Sequence, residues 1–205
     1  LDKRIGYGFL VSNEQAGAGA LSRVQFMGQA AHNLRLNRKL NLRSGMQLGF
    51  GARSIDFDNL VFTDQLLRDN AAMSVETPTD RGRNYLDMGA GFMLLSRRTW
   101  LGMSANHLLS PNASLNPALP EKLSILYTVH GGARIQLVRG PKGRLSRDVV
   151  WSWKYVQQGD RNQLDMGAYY DLSVMTLGVW YRGIPIQKAA DGSLDVDALS
   201  FVFGF

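Results

Sequence analysis

Bulky apolar residues alternate with small or polar residues along most of the chain, in short stretches that end at turns or loops. One stretch, residues 86–94, carries Leu86, Met88, Ala90, Phe92 and Leu94 on one face and Asp87, Gly89, Gly91 and Met93 on the other. Residues 163–171 repeat the arrangement. Because successive side chains leave opposite faces of an extended backbone, this period of two predicts β-strands.

The alternation predicts an all-β chain of about ten strands with no helix between them. We expect the strands near residues 3–12, 21–35, 40–54, 85–96, 99–109, 121–138, 147–157, 162–171, 173–183 and 195–205. A sheet of this size is expected to close on itself or to stack on another sheet, since each open edge exposes unpaired backbone groups.

The residues on the two faces indicate which of these arrangements applies. The polar face is mostly Gly, Ser, Asn, Gln, Asp and Arg, and Glu occurs only at positions 14, 76 and 121. Such a face suits a crowded lumen, and the opposite, bulky face then meets lipid. We therefore predict an antiparallel transmembrane β-barrel of the outer-membrane type, with a soluble barrel or sandwich as the alternative.

The connections between the predicted strands alternate in length. They are tight at residues 37–39, 97–98 and 171–173, and longer at residues 13–20, 55–84, 110–120 and 184–193. The connection at 139–146 is longer than the tight ones but has the turn residues Gly140, Pro141 and Gly143, and we group it with the turns. Outer-membrane barrels place short turns in the periplasm and long loops outside the cell. The sequence therefore predicts that the tight turns face the periplasm.

Basic residues gather around the predicted periplasmic turns, offset only by Asp148 and Asp171. We give the name basic rim to the six that form the candidate partner surface: Arg38, Lys39, Arg97, Arg98, Lys142 and Arg144. An exposed basic surface attracts anionic lipid headgroups or an acidic protein. Nucleic acid is disfavoured, because its binding would call for a groove with aromatic residues among the bases.

Charged residues also fall on the polar face of the predicted strands. Four of these candidate lumen charges are basic, Arg43, Arg134, Lys154 and Arg182, and two are acidic, Asp87 and Asp165. They could line a selective channel or form internal salt bridges. We favour salt bridges, because an unpaired charge inside a narrow barrel is unfavourable.

The sequence offers little catalytic, metal or cofactor chemistry. The chain has no cysteine, and His32, His107 and His130 do not have metal-ligand spacing. Ser104, Asn106 and His107 contain the residue types of an esterase site, but strand alternation puts His107 on the face opposite the other two. Gly17 and Gly19 join two strands, so a nucleotide loop is disfavoured. We predict no enzyme activity, no metal and no cofactor.

Several segments resemble the PorP/SprF family of type IX secretion system membrane proteins. The most specific are LGMSANHLLSPN at residues 101–112 and LGVWYRGIP at residues 177–185. Further similar segments, in order, are AGAGAL at 16–21, LNRKLNL at 36–42, HGGAR at 130–134 and QLDMGAYY at 163–170. The positions that match the family motifs are Asn106, His107, Pro111, Asn112, Arg182 and Gly183, for which a structural role at the barrel rim is the default expectation.

The resemblance implies a non-enzymatic outer-membrane protein that supports export or surface attachment of adhesin cargo. It also implies contact with the periplasmic lipoprotein ring and motor of the secretion machine. We expect residues 1–205 to form a single barrel domain that lacks an N-terminal segment and final strands, the full barrel having about 12–14 strands. A passive porin or small-solute channel is the alternative function.

Overall fold

The computed structural model of the chain describes residues 4–17, 21–55, 82–115, 121–138, 147–172, 174–183 and 198–205. They form ten strands: β1 (Ile5–Ala16), β2 (Leu21–Arg35), β3 (Leu40–Ser54), β4 (Gly82–Ser96), β5 (Thr99–Asn106), β6 (Leu126–Val138), β7 (Arg147–Gln158), β8 (Arg161–Asp171), β9 (Thr176–Arg182) and β10 (Ala198–Gly204). Each strand pairs antiparallel with the next one in the chain, in a single sheet of order β1 to β10. The predicted all-β antiparallel architecture is confirmed.

Closure is the point at which the fold differs from the barrel prediction. Within the described residues, β1 pairs only with β2 and β10 only with β9, so the sheet is open. Their outward edges therefore carry backbone N–H and C=O groups that no neighbouring strand of this sheet satisfies.

Several strand boundaries differ from the predicted ones, and three of these differences have a local reason. β1 continues to Ala16, where the sequence predicted a loop from residue 13, because its polar end pairs with β2 and sets Glu14 opposite Arg23. β5 ends at Asn106 because His107 has a left-handed backbone (φ 58°). β6 begins at Leu126 because residues 121–123 pair instead with residues 111–113.

The sheet has an apolar outer face and a polar inner face. Directly paired residues share a face, so the register aligns Phe9, Gly28, Leu48 and Met88 on the outer face. One residue along, Leu10, Met27, Gly49 and Asp87 align on the inner face. Phe9 is 80 % exposed and Asp87 is 1 % exposed. The bulky side chains of the outer face therefore point away from the protein, and the carboxylate of Asp87 on the inner face is buried.

Large rings lie over glycines on the inner face. A Cβ at Gly132 would collide with the ring of Trp100, and one at Gly167 would collide with the ring of Trp180. The tyrosine ring of Tyr85 covers Gly51 in the same way. Trp100 and Trp180 therefore pack against the polar wall, whereas Trp151 lies on the outer face and is 46 % exposed.

The ends of the sheet follow the predicted sorting of connections, with two departures. Residues 37–39 and 97–98 form tight turns at the same end, and Leu40 pairs with Ser96, so the two turns are neighbours. Both departures lie at the opposite end. The β7–β8 connection consists of residues 159–160, with Gly159 at φ 57°. The bounds of β1 and β2 leave residues 17–20 between them, as few as the four between β2 and β3. The predicted turn at 139–146 lies outside the described residues.

Candidate functional site

The most buried charge in the described part of the chain is the carboxylate of Asp87, on the inner face of β4. Its Oδ2 lies 2.7 Å from His107 Nδ1, and its Oδ1 accepts the backbone N–H of Met88 at 2.9 Å. A carboxylate can only accept, so Nδ1 of His107 carries the donated proton. A buried carboxylate is tolerated when it is paired and hydrogen-bonded in this way. The pair joins the residue that follows β5 to the middle of β4.

His107 does not occupy the face that strand alternation predicts. Its left-handed backbone, with φ 58°, ends the strand and turns the imidazole to the inner face, where Asp87 lies. The predicted separation of His107 from Asn106 on opposite faces is therefore wrong. The hydrogen bonds of His107 and Asn106 go to Asp87 and Gln47, and Ser104 takes no part in either.

A chain of carboxamides continues from the Asp87 site across the inner face. Gln47 Nε2 donates to Asn106 Oδ1 at 2.9 Å, and Gln29 Nε2 lies 3.4 Å from Gln47 Oε1. The Gln47–Asn106 contact fits over Gly89, where a Cβ would meet Asn106 Oδ1 at 2.5 Å. The side chain of Asn106 therefore depends on glycine at position 89.

The segment after β5 folds over the inner face, and we call its described residues, 107–115 and 121–125, the inner loop. Its two arms pair through Leu123 N–H to Pro111 O at 2.9 Å and Ala113 N–H to Glu121 O at 3.2 Å. Arg53 Nη1 on the inner face of β3 reaches Ala113 O at 3.5 Å. Ala113 is 3 % exposed, so the tip of the described loop is covered.

A second polar cluster lies on the inner face of β7–β9. Asp165, 5 % exposed, receives Gln163 Nε2 at 2.8 Å and Arg182 Nε at 3.0 Å on Oδ1, and lies 3.3 Å from Lys154 Nζ through Oδ2. The side chains of Lys154 and Arg182 remain 45 % and 53 % exposed. The cluster therefore presents two cations around one buried carboxylate.

The two remaining candidate lumen charges behave differently from each other. Arg134 Nη1 lies 3.4 Å from Asp148 Oδ2, which makes it an ion pair at the limit of hydrogen-bond distance. Asp148 Oδ1 is buried and has no hydrogen-bond partner within the described residues. Arg43 is exposed and makes no ion pair within the ranges that the structure describes.

The basic rim is in part visible at the end of the sheet that carries the tight turns. Arg38, Lys39, Arg97 and Arg98 are exposed on two neighbouring turns. The Lys39 N–H donates to Asn37 Oδ1 at 2.8 Å, which fixes the first turn. Lys142 and Arg144 lie outside the described residues.

A family model for the type IX secretion system membrane protein PorP/SprF matches residues 1–205. The chain belongs to this family. Neither the curated proteins nor the solved structures gave a significant match.

In this PorP/SprF protein, the residues that carry the motif resemblance lie at the two polar clusters. Asn106 and His107 bind the inner face beside β4, and Pro111 and Asn112 belong to the inner loop. Arg182 binds Asp165, and Gly183 follows it with φ 140°, a backbone that favours glycine, while its N–H donates to Leu164 O at 3.0 Å.

The described residues of the PorP/SprF chain contain no group of three or more His, Cys, Asp or Glu that could hold a metal. They also contain no helix long and apolar enough to cross a membrane. Two buried carboxylates, Asp87 and Asp165, each connect chain segments that come from different strands.

We predict that the Asp165 cluster contributes modestly to stability. In a double-mutant cycle of Asp165→Asn and Arg182→Gln, the coupling free energy should be about 1 kcal/mol, because Arg182 is half exposed and solvent screens the pair. Urea unfolding of the protein in detergent measures it. A coupling indistinguishable from zero would contradict the prediction.

Proposed function

We propose that this PorP/SprF protein is a non-enzymatic outer-membrane β-barrel of the type IX secretion machinery. The observation that carries the proposal is the outer face, where large apolar side chains are exposed on strand after strand, among them Phe9, Leu48, Phe92, Trp151 and Phe201. Soluble monomers rarely expose a contiguous apolar surface of this extent. A lipid bilayer is the environment in which such an apolar outer face is stable.

The height of the apolar surface agrees with a bilayer. On β4 the outer residues run from Leu86 to Leu94, eight steps along the strand, or about 27 Å at the usual rise. With a strand tilt of about 40°, this corresponds to roughly 21 Å along the membrane normal, close to the apolar band of about 25 Å in such barrels.

We propose that the complete barrel contains about 12–14 strands, with further strands joining the free edges of β1 and β10. Closure would satisfy the backbone groups at both edges, which hydrocarbon cannot. The polar inner face, with its paired charges, then becomes the lumen.

The basic rim supports a partner on the periplasmic side. Four of its bases are exposed on adjacent turns, and their field reaches about 8 Å in physiological salt. We propose the periplasmic ring of the secretion machine as that partner and adhesin cargo as the exported or anchored substrate; membership in a type IX secretion family supports both. Anionic headgroups are the simpler occupant of the same rim.

Reversing the charge of the basic rim distinguishes binding of the ring proteins from binding of anionic lipid headgroups. We expect the substitution of Arg97, Arg98, Lys142 and Arg144 by Glu to abolish co-purification of the ring proteins, while heat-modifiable folding in the outer membrane is kept. The double variant R97E/R98E, compared with K122E/R161E at the other end of the sheet, isolates the described part of the rim. Retention of the ring by the folded rim variant at physiological salt would show that the rim does not dock it.

A passive channel is the second candidate, favoured by one observation. The inner face of β1–β6 borders a cavity of about 600 Å³, whose lining includes Gln29, Gln47, Asn106 and His130. Large, steady conductance of the purified protein in planar bilayers would support the channel. We expect none from the intact protein, because several charges of the inner face are paired and large aromatic rings lie over its glycines.

A further inference from the structure

We propose that three arginines on the inner face form a binding site for a phosphate group. They are Arg23 on β2, Arg53 on β3 and Arg83 on β4, and we call them the arginine row. Binding at the row requires only the sheet described above, so the inference goes beyond the proposed function and does not depend on closure of the barrel. In the proposed barrel the row lies in the lumen, at the end opposite the basic rim.

The register of the sheet places the three arginines side by side. Arg23 pairs directly with Arg53, and Arg53 pairs directly with Arg83. Arg83 lies four residues before Asp87 on β4, so the row shares the inner face with that carboxylate. Directly opposed side chains have Cβ atoms about 5 Å apart, and like charges in that position destabilise a sheet. Three adjacent cations therefore call for a compensating negative charge.

The contacts of the arginine row within the described residues are few and neutral. Arg23 Nε donates to the hydroxyl of Tyr85 at 3.2 Å. Arg53 Nη1 reaches Ala113 O at 3.5 Å. Arg83 has no hydrogen bond or ion pair with a described residue. Since a guanidinium carries several N–H donors and no acceptor, most donors of the row are left for a ligand.

The acid that shares the register with the row does not neutralise it. Glu14 pairs directly with Arg23, but its side chain is exposed and forms no ion pair within the described part of the chain. Elsewhere on the inner face the cations meet a carboxylate, as Arg182 meets Asp165 and Arg134 meets Asp148. The arginine row therefore differs from these structural ion pairs.

Burial separates the row from an ordinary solvated surface. Arg23, Arg53 and Arg83 are all half-buried, whereas Arg43, on the same face of β3, is exposed. An exposed cation needs no partner, because water solvates it. A partly buried cation loses part of that hydration, and a charge without a partner is then unfavourable.

The number and type of the side chains favour a phosphate group over a carboxylate. The two oxygens of a carboxylate are matched by the fork of one guanidinium. A phosphate group offers three or more acceptor oxygens and carries close to two negative charges at neutral pH. The outer two arginines start about 10 Å apart at the usual strand spacing, a gap that their long side chains can close around one such group. The contacts to Tyr85 and Ala113 already hold two of the three side chains on the inner face.

Titration calorimetry of the detergent-folded protein with inorganic phosphate, at physiological salt, tests the site. We expect the native protein to bind phosphate and Arg83→Gln to weaken binding by about tenfold or more, the value of a lost charge-assisted hydrogen bond. Arg53→Gln should have the same effect, and it replaces Arg83→Gln if that variant does not fold.

Arg43→Gln is the matched control. It removes the same charge from the inner face of β3 but lies outside the row, so it should leave phosphate affinity unchanged. The proposal is wrong if the native protein does not bind phosphate, or if Arg43→Gln weakens binding as much as Arg83→Gln does. Succinate that binds as tightly as phosphate would exclude a phosphate site.

Urea unfolding distinguishes a binding role of Arg83 from a structural one. In chloride buffer without phosphate, Arg83→Gln should not lower the urea midpoint, because it relieves repulsion between like charges. Phosphate should raise the midpoint of the native protein and of Arg43→Gln, but not that of Arg83→Gln. A lower midpoint of Arg83→Gln in chloride, with the same gain from phosphate as the native protein, would overturn the proposal.

A second titration, with glucose 6-phosphate, identifies the source of the phosphate group. Tighter binding of glucose 6-phosphate than of inorganic phosphate indicates a phosphorylated sugar, and the reverse order indicates the free ion. Both results support the site. Failure of the native protein to insert into lipid vesicles would count against the proposed barrel, and the titrations in detergent would still decide the phosphate site.

Discussion

Leu48→Arg should reduce insertion of the protein into lipid bilayers, with a loss of about 2–4 kcal/mol in the free energy of folding into the membrane. Leu48 lies on the outer face in the middle of β3 and is 53 % exposed. In hydrocarbon a guanidinium at this depth loses its hydration and finds no partner. Folding into lipid vesicles, followed by heat-modifiable migration and urea titration, measures the effect.

Leu10→Arg is the matched control for Leu48→Arg. Leu10 is 47 % exposed and follows Phe9, which aligns with Leu48 across β2. Unlike Phe9 and Leu48, Leu10 is on the inner face, where it pairs with Met27. The same substitution at nearly the same depth should therefore cost less than about 1 kcal/mol, as lumen positions tolerate charge. Equal losses for the two variants would exclude the assignment of the faces.

Gly49→Ala should destabilise the folded sheet by about 3 kcal/mol or more, the upper end of the cost of overpacking. A Cβ at this position would collide with the carbonyl oxygen of Phe26 and with the sulfur of Met27. A backbone oxygen in a central strand cannot move aside without breaking the β2–β3 ladder. The urea midpoint of the detergent-folded protein gives the change in stability.

Gly28→Ala provides the comparison for Gly49→Ala. Gly28 also lies in the middle of a central strand, but its Cβ would meet only Leu48 O at 3.7 Å, an ordinary contact. We expect a change within about 0.5 kcal/mol of zero. A large loss at position 28, or none at position 49, would mean that the packing of β2 against β3 differs from the one described.

The alternation of side chains was enough to predict the strands and their faces. β2 and β3 have the predicted bounds, and Leu86, Met88 and Phe92 lie on the face opposite Asp87, as the pattern required. Alternation predicts the faces because residues that pair across neighbouring strands lie on the same face, so every strand repeats the same inner and outer pattern. It carries none about closure, which depends on backbone pairing between strands far apart in the chain.

The inner loop could not be predicted from the same pattern. Alternation assumes an extended backbone, and the left-handed turn at His107 violates that assumption at a single residue. One signal was available: Asp87 is the only charged residue between Leu86 and Ser96, and a carboxylate on a crowded face needs a partner. The sequence identified that need, but the fold was required to show that His107 meets it.

Every pairing in the sheet joins a strand to its successor, from β1–β2 to β9–β10. In kinetic terms such a sheet can fold one hairpin at a time, since each new strand closes only the loop that precedes it. The free edges of β1 and β10 are the exception, because strands that complete the proposed barrel must bring together parts of the chain that are far apart. Until that happens, both edges are templates for pairing with other chains. The last step of folding, rather than the first, is thus the one in which this protein is most exposed to aggregation and most dependent on assistance.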